Sequence, residues 1–179
     1  MKIHILGASC AGSTTLGKAL STRLNIPYFD TDYFFWEKSV VPYTVKRDPL
    51  LRNQLLKDEL SQSENYIVGG SLVSWGEEWK QMFDLAVFLY VPKETRIERL
   101  VKREIERYGN NIYDDPQRHK LFLEFVDWAS KYDDRSFTGR NIGIHESWLD
   151  GLNCPVIKIE GDTTVAERVK RIIEVVKPA

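Results

Sequence analysis

Residues 7–15 read GASCAGSTT, and this stretch decides the fold. Four residues separate Gly7 from Gly12, and Ser13 and Thr14 follow. The phosphate-binding P-loop has the pattern G-x-x-x-x-G-K-[ST], in which backbone amides cradle phosphates and the lysine reaches the β- and γ-phosphates. Because Ser13 stands at the lysine position, the loop keeps its glycines and its hydroxyl but lacks the positive charge.

The segments on either side of the loop are those that a P-loop requires. Residues 2–6 form a short apolar run typical of a strand, and apolar residues at helical spacing predict a helix over residues 13–24. Loop amides and a helix N-terminus attract an anion without any lysine. The alternative is a glycine-rich turn that binds nothing. We predict ATP binding by Gly7, Ala8, Ser9, Cys10, Ala11, Gly12, Ser13, Thr14 and Thr15.

The rest of the chain alternates short apolar runs with helical patterns. This alternation predicts a three-layer α/β/α fold with a five-stranded parallel sheet. We expect one domain over residues 1–179, with a helical lid or insert at about 109–141. Further strands are predicted at 28–30, 66–68, 85–91 and 156–160. Further helices are predicted at 50–62, 92–108, 117–132 and 142–150. A last helix of about a dozen residues is predicted after a cap at Asp162 or Thr163, with Thr164 and Glu167 at capping-box spacing.

Composition excludes several classes of protein. The 179 residues carry a formal net charge of −1 with acids and bases well mixed, which disfavours a nucleic-acid surface. The two cysteines lie far apart and form neither a disulfide framework nor a metal-ligand pattern. No stretch approaches the roughly 20 apolar residues of a membrane span. We expect a soluble, cytoplasmic protein without nucleic-acid or membrane partners, of undetermined oligomeric state.

Residues 7–35, GASCAGSTTLGKALSTRLNIPYFDTDYFF, resemble the opening of shikimate kinases and related small-molecule kinases of the nucleoside-monophosphate-kinase-like P-loop superfamily. The hydroxyl residues Thr14 and Thr15, then Gly17 and Lys18, then an F-x-D-x-D segment follow the order of that family. Residues 69–71 are similar to the glycine-rich stretch after its third strand, and residues 84–104 to the strand and arginine-bearing helix before an adenylate-kinase lid. The chain also resembles adenylate-kinase-like proteins whose loop reads G-x-x-x-x-G-[ST]-T-T, so the missing lysine is expected to be a family trait.

The resemblance implies an ATP-dependent kinase with Mg²⁺ that transfers the γ-phosphate to a small molecule or nucleotide. Thr14 and Asp30 are expected to bind Mg²⁺, partly through water, and Asp32 to bind the acceptor hydroxyl and accept its proton. The alternative for both carboxylates is a solvated turn at the end of a strand. Lys18 is expected to be a surface lysine. Shikimate itself is disfavoured as the acceptor, because the aromatic run at residues 33–36 and the lid region differ from the family.

Substrate binding is predicted for Asp32 together with a basic segment and a glycine pair. The basic segment contains Lys46 and Arg47, followed by Arg52, and it can hold an anionic group of the acceptor or lie solvated at a helix start. The pair Gly69 and Gly70 can bring backbone amides to the ligand or form a plain turn. The rings at residues 33–36 either wall an acceptor pocket or pack in the core, and Trp75 and Trp79 are weaker candidates for the same pocket.

Arginines near the lid are candidates for the charge that the loop lacks. Four of them share one face of the 92–108 helix, and this stripe is predicted to be solvated except for Arg103, at the base of the lid. In the loop at residues 133–141, Arg140 is preferred over Arg135. The predicted catalytic residues are therefore Asp32, Arg103 and Arg140.

Histidines are not expected to act as ligands. His4 is predicted to pack within the first strand, and His119 and His145 have no metal-ligand spacing. We therefore expect no metal beyond Mg²⁺ with the nucleotide. A hypothesis of another class is a nucleotide-binding module with little or no turnover that senses or scaffolds, and the missing lysine is the argument for it.

Overall fold

A single five-stranded sheet organises the protein, whose computed structural model describes residues 1–176. All the pairings are parallel and the spatial order is β2-β3-β1-β4-β5. The predicted α/β class and the five-stranded parallel sheet are confirmed. The strands are β1 Lys2–Gly7, β2 Tyr28–Asp30, β3 Tyr66–Gly69, β4 Leu85–Tyr90 and β5 Val156–Glu160.

Helices follow each strand and cover both faces of the sheet. Two short elements were not predicted: the helix directly after β2, and a 3-10 helix at Glu77–Gln81. A third short helix lies within the stretch after residue 108 that was predicted to be an irregular break, and it is only one turn long. The helices are α1 Ser13–Leu24, α2 Thr31–Phe35, α3 Pro49–Ser61, α4 Lys93–Tyr108, α5 Asn111–Asp114, α6 Pro116–Ser130, α7 Ile142–Asp150 and α8 Val165–Val176.

The start of α8 corrects a detail of the prediction. Thr164, not Asp162 or Thr163, caps this helix: its hydroxyl accepts a hydrogen bond from the Glu167 amide at 3.2 Å. The Glu167 carboxylate in turn accepts from the Thr164 amide at 2.7 Å. This reciprocal pair is a capping box, and it fixes where the chain leaves the turn after β5 and enters the helix.

The core lies on both faces of the central strands. β1, β3 and β4 are almost completely buried, so their near-continuous apolar character reflects helices on both sides of the sheet. One apolar cluster includes Leu16 and Ile172 of α1 and α8, and the other includes Leu56 and Trp79 beside α3. Since all five strands point the same way, the residues after their carboxyl ends meet at one edge.

Within residues 1–176, no helix combines the length with the apolar character that crossing a bilayer requires.

Candidate active site

The carboxyl ends of β1, β2 and β3 open on one cavity of about 970 Å³, called here the loop cavity. It is lined by eight residues of the P-loop, by both aspartates of the segment after β2, and by Gly70 and Ser71 after β3. Ala11, also predicted to bind ATP, is fully buried and lies outside this lining. The P-loop residues in the lining are Gly7, Ala8, Ser9, Cys10, Gly12, Ser13, Thr14 and Thr15.

The two P-loop glycines are required for different reasons. Gly12 has a φ of 100°, which L side chains rarely adopt, and a Cβ there would lie 3.1 Å from Arg168 Nη1. At Gly7 a Cβ would lie 2.6 Å from the Leu89 carbonyl oxygen of the neighbouring strand. Close approach of β4 therefore explains Gly7, and the left-handed turn into α1 explains Gly12.

The N-terminus of α1 is open toward the loop cavity. Gly12 is the N-cap, so no described side chain caps this helix, and its first turn contains no acidic residue. The first amides of a helix lack partners within it, and with the dipole they favour an anion. Ser13 and Thr14, at the first two helical positions, line the cavity at this point.

Thr14 and Asp30 form a hydroxyl–carboxylate pair on the floor of the cavity. Thr14 Oγ1 donates to Asp30 Oδ2 at 2.8 Å, and the Tyr28 hydroxyl donates to the same oxygen at 3.0 Å. The other carboxylate oxygen of Asp30 accepts from the Asp32 amide at 3.0 Å and caps α2. Residues 1–176 contain no cluster of three or more His, Cys, Asp or Glu that could hold a metal. A site of one hydroxyl and one carboxylate suits Mg²⁺, which keeps several waters when it binds with phosphates.

Asp32 faces the loop cavity and the cavity beside it. Burial is the main cause that raises the pKa of its carboxyl, and the neighbouring Asp30 charge raises it further. Three cations oppose that shift, namely Arg140, Arg103 and Arg107. A carboxylate with a raised pKa, close to arginines, is suited to accept a proton from a bound hydroxyl.

Three arginines of the α4 stripe are partly solvated, as the sequence predicted, but they also face the site. Arg99, Arg103 and Arg107 all line the loop cavity. Glu104 lies buried beneath them and pairs with Arg103 at 3.1 Å and with Arg107 at 3.5 Å. Pairing with an acidic residue of α4 was predicted, whereas the cavity lining by Arg99 and Arg107 was not, because only the fold places α4 along the cavity edge.

Arg96, the fourth member of the stripe, has a structural position. Its side chain is 1% exposed and pairs with Asp133 at 2.6 Å. Its Nε donates to the Val91 carbonyl at 2.9 Å and its Nη1 to the Ala129 carbonyl at 3.3 Å. Arg96 therefore ties the end of β4 to the C-terminal end of α6.

Arg140 lines both cavities, whereas Arg135 lines neither and pairs with Glu146. The Arg140 guanidinium carbon lies 5.2 Å from the ring centre of Trp128. Its Nε is buried without a hydrogen-bond partner among residues 1–176. Burial lowers the pKa of the Arg140 guanidinium, and the Asp32 carboxylate opposes that shift. A guanidinium that lines the cavity beside a carboxylate can bind an oxyanion there.

Arg168 is a site residue that sequence reasoning missed. It is 3% exposed, and its Nη1 donates to the Ala11 carbonyl of the P-loop at 2.8 Å. Its Nε donates to the Thr163 hydroxyl at 2.9 Å, which joins the loop after β5 to the same network. The sequence signal was no more than a basic residue one turn into the last helix. Because only the fold brings α8 beside α1, its partner 157 residues away was not predictable.

The structure brings only some of the predicted acceptor-binding residues to the cavities. Gly70 lines the loop cavity, and Lys46 lines an adjoining cavity of about 660 Å³, called here the ring cavity. Arg47 and Gly69 line neither cavity, so the structure does not bring these two to the site. Arg47 donates instead to the Trp36 carbonyl at 3.4 Å, and Gly69 packs against the Tyr28 ring.

The sequence left two alternatives for the aromatic run at residues 33–36, a pocket wall or core packing. The structure shows both. Phe34 is 4% exposed and belongs to the core, whereas Tyr33, Phe35 and Trp36 line one or both cavities. Arg52 is buried against this group, with its guanidinium carbon 5.1 Å from the Phe35 ring centre. It therefore supports the cavity wall from behind.

Of the two weaker aromatic candidates, Trp75 lines the ring cavity and Trp79 lies in the core. Lys18, predicted to be a surface lysine, is exposed as expected, and its side chain also reaches the wall of the loop cavity.

A buried chain of hydrogen bonds reaches the site through Ser71. Ser71 Oγ lies 3.1 Å from His145 Nε2, and His145 Nδ1 lies 2.8 Å from the Tyr132 hydroxyl. Burial lowers the pKa of His145 to about 3, so the imidazole is neutral. Ser71 lines both cavities, so this chain fixes the orientation of its hydroxyl there. Sequence reasoning missed it because the three residues come from separate elements.

His4 packs as predicted. It is fully buried, its ring stacks on Phe83, and its Nε2 donates to the Gly70 carbonyl at 2.9 Å.

Comparisons with known proteins agree with this fold. The AAA domain family matches residues 3–119. The uncharacterized protein YqaC of Bacillus subtilis (strain 168) is 42% identical over 172 residues, which is 96% of this chain and 95% of that protein. The shikimate kinase of Aquifex aeolicus (strain VF5) is 30% identical over 141 residues, covering 68% of this chain and 82% of the enzyme.

Solved structures show the same fold. A shikimate kinase from Acinetobacter baumannii in complex with shikimate has a TM-score of 0.52 and 17% identity, covering 98% of this chain and 92% of that one. A shikimate kinase from Bacteroides thetaiotaomicron has a TM-score of 0.57 and 19% identity, covering 98% and 97%. The fold that was expected from residues 7–35, that of P-loop kinases, is confirmed.

Proposed function

This chain belongs to the AAA domain family of P-loop proteins, and we propose that it is an ATP-dependent phosphotransferase acting on a small hydroxylated acceptor. Its fold is of the kinase type that shikimate kinases share. The observation that carries the proposal is the loop cavity, where the P-loop, Asp32 and several arginines face one space. This space continues into the ring cavity, so a donor and an acceptor can lie side by side.

ATP is proposed to bind in the loop cavity. Its phosphates would contact the loop amides and the open N-terminus of α1, where Thr15 offers a further hydroxyl. Thr163 and Val165 border the same cavity beyond β5 and would lie against the adenosine.

P-loop kinases of this kind use ATP with Mg²⁺, and the residues present fit the ion. Thr14 and Asp30 would hold it, the second partly through water. When bound, Mg²⁺ neutralises charge on the β- and γ-phosphates.

The acceptor is proposed to react through a hydroxyl held by Asp32. The hydroxyl oxygen forms a bond to the γ-phosphorus while the bond from that phosphorus to the bridging oxygen breaks, and ADP leaves with that oxygen. Asp32 takes the hydroxyl proton, which its raised pKa favours. Little covalent work is left to the protein in such a transfer, so positioning and charge stabilisation provide most of the catalysis.

The charge missing at Ser13 is proposed to come from Arg103 and Arg140. Both line the loop cavity, and Arg140 approaches from the loop before α7. Residues 109–141, which contain α5 and α6, would act as the lid that brings Arg140 over the phosphates and excludes water.

Calorimetric titration with ATP, with and without Mg²⁺, tests the proposal. We expect micromolar, Mg²⁺-sensitive binding, and Gly12→Val should weaken it by about 30-fold or more, because a side chain there strains the loop and meets Arg168. Gly151→Val is the matched control: Gly151 lies outside the loop cavity and the lid, and the atoms nearest to an added Cβ there belong to the flexible Lys80 side chain. Absence of binding up to millimolar ATP would remove the kinase proposal.

A nucleotide-binding module without turnover is the second candidate, favoured by Ser13 at the lysine position. It predicts ATP binding as above with no ADP formed in the presence of any acceptor. Phosphoryl transfer to one acceptor would exclude it.

A further inference from the structure

The ring cavity has a chemical character that the phosphate site does not explain. Five aromatic side chains line it without reaching the loop cavity: Phe35, Trp75, Tyr108, Phe122 and Trp128. Trp36, Tyr43 and Phe125 line both. Small-molecule pockets are mostly apolar with a few placed polar groups, and here the apolar part consists largely of rings.

The rings are arranged as walls and not as a packed core. Trp36 lies edge-on to Phe35 at 4.7 Å between ring centres and edge-on to Tyr43 at 6.3 Å. On the other side, Phe125 and Trp128 stack at 6.1 Å with 28° between their planes. Trp36, Phe125 and Trp128 are each only partly buried. Arg103 lies over Phe125 and Arg140 over Trp128, so these two rings offer mainly their edges to a ligand, whereas Trp36 and Phe122 have no cation over them among the described residues. Aromatic faces and edges of this kind pair best with another planar ring.

Two cationic side chains line the ring cavity and do not line the loop cavity. They are Lys46 and Arg118. Lys46 is exposed and is held by a strand-like bridge to Trp36. Arg118 lies over the Tyr108 ring at 4.0 Å. Arg103, Arg107 and Arg140 also line the ring cavity, but each of them lines the loop cavity as well. Lys46 and Arg118 are therefore the cations left to bind a negative group on the acceptor itself.

The polar lining distinguishes between kinds of planar ligand. Nucleobases are read by paired donors and acceptors on their edges, for which asparagine and glutamine amides are well suited. Among the described residues that line the ring cavity there is neither asparagine nor glutamine. Hydroxyl groups are present, with Ser71 fixed by His145 at the boundary with the loop cavity. This lining suits a hydroxylated ring better than a base.

We propose that the acceptor is a hydroxylated aromatic acid, an aryl ring with an anionic group, bound in the ring cavity with one hydroxyl toward Asp32. This inference rests on the proposed function for the phosphoryl step: the aryl compound's hydroxyl takes the γ-phosphate of ATP and its proton goes to Asp32. Phe122 and Trp128 face the ring, and Lys46 with Arg118 binds the anion.

Matched probes test the aromatic requirement. Gallate, a trihydroxybenzoate, carries the same three hydroxyls and carboxylate as shikimate on a planar aromatic ring. Calorimetric titration of the full chain without nucleotide should show gallate binding at least about tenfold more tightly than shikimate or uridine monophosphate. Shikimate binding as tightly as gallate would overturn the aromatic requirement. Uridine monophosphate binding more tightly than gallate would assign the cavity to a nucleotide and overturn the proposal.

Matched variants locate the binding. Phe122→Ala should weaken gallate binding by about tenfold, while Leu123→Ala, an exposed neighbour outside both cavities, should change it less than about twofold. Lys46→Met should weaken it by about tenfold, and the exposed Lys102→Met, also outside both cavities, should not. Equal effects of the paired variants would overturn the proposed site.

The proposed phosphotransferase function is tested independently of the aromatic acceptor, because ATP binding is titrated without an acceptor. If ATP binds and its phosphate goes to an aliphatic acceptor in preference to gallate, the phosphotransferase stands and the aromatic proposal is overturned. If gallate binds with the expected variant effects but ATP does not bind, the ring cavity stands and the phosphotransferase is lost.

Discussion

At the scale of single residues, the loop cavity has several arginines and no lysine at the P-loop position. A P-loop lysine is a point charge on a long stem, whereas the loop cavity here has guanidinium groups from three separate parts of the chain. Arg168 is occupied by the Ala11 carbonyl and so maintains the shape of the loop. Arg140 lines both cavities beside Asp32, which makes it the better candidate for the transferring phosphate.

Arg140→Met should therefore lower kcat for ADP formation by about 10³-fold while ATP affinity changes less than about threefold, since the lost charge acts mainly in the transition state. Arg135→Met is the control from the same loop, because its side chain lies outside both cavities and pairs with Glu146. Steady-state kinetics with calorimetric ATP affinities measure both effects. A variant at Arg140 as active as the one at Arg135 would mean that another cation replaces the lysine.

At the scale of elements, one buried guanidinium joins three parts of the chain. Arg96 of α4 binds the carbonyl after β4, the last turn of α6 and Asp133 beyond it. Breaking a buried ion pair leaves an uncompensated charge, and two carbonyl oxygens would also lose their donor. Elements that are distant in sequence therefore depend on a single side chain.

Arg96→Met should lower the free energy of unfolding by about 3 kcal/mol, measured by urea denaturation. Lys131→Met removes a pair with Asp127 at 2.5 Å in which both side chains are largely exposed, and it should cost less than about 0.5 kcal/mol. A small loss at Arg96, similar to that at Lys131, would show that the tie between α4 and α6 contributes little.

Elements were predictable where their signals are local. Strands such as 85–91 were evident because they are apolar throughout, and the helix after Pro92 because proline suits a helix start. Helix α2 was missed since its five residues are too few to show a period. In the site, the P-loop and Asp30 follow from spacing along the chain. Arg168 and His145 do not, because contacts over 157 and 74 residues exist only in the fold.

At the scale of the whole molecule, two buried histidines make stability depend on pH. Burial lowers the pKa of His4 to about 4 and that of His145 to about 3, both from 6.5. Below pH 6.5 the unfolded chain therefore binds protons at these residues that the folded protein does not bind. The stability that they contribute is complete above pH 6.5 and falls as the pH falls toward the folded pKa values.

Between about pH 6 and pH 4.5 the free energy of unfolding should fall with a slope approaching about 1.4 kcal/mol per pH unit for each histidine. Asp32 acts with the opposite sign from its ordinary pKa of 3.8 upward, because its carboxyl pKa is raised in the fold and the folded protein binds the proton more tightly there. His145→Gln should remove about half of the slope, and the exposed Lys102→Met should leave it unchanged. Urea titrations across this range measure it. A slope unaffected by His145→Gln would contradict the neutral, buried imidazole.

The attachment of α6 has a mechanical consequence. Arg96 fixes the C-terminal end of this 15-residue helix, which is about 22 Å long, while its N-terminal half carries Arg118 and Phe122 into the ring cavity. The helix can pivot about the end that the Arg96 guanidinium holds. By simple geometry, a rotation of about 10° at that end moves the far end by about 4 Å. A small rotation of α6 about this end would therefore move Arg118 and Phe122 by several ångströms at the mouth of the ring cavity.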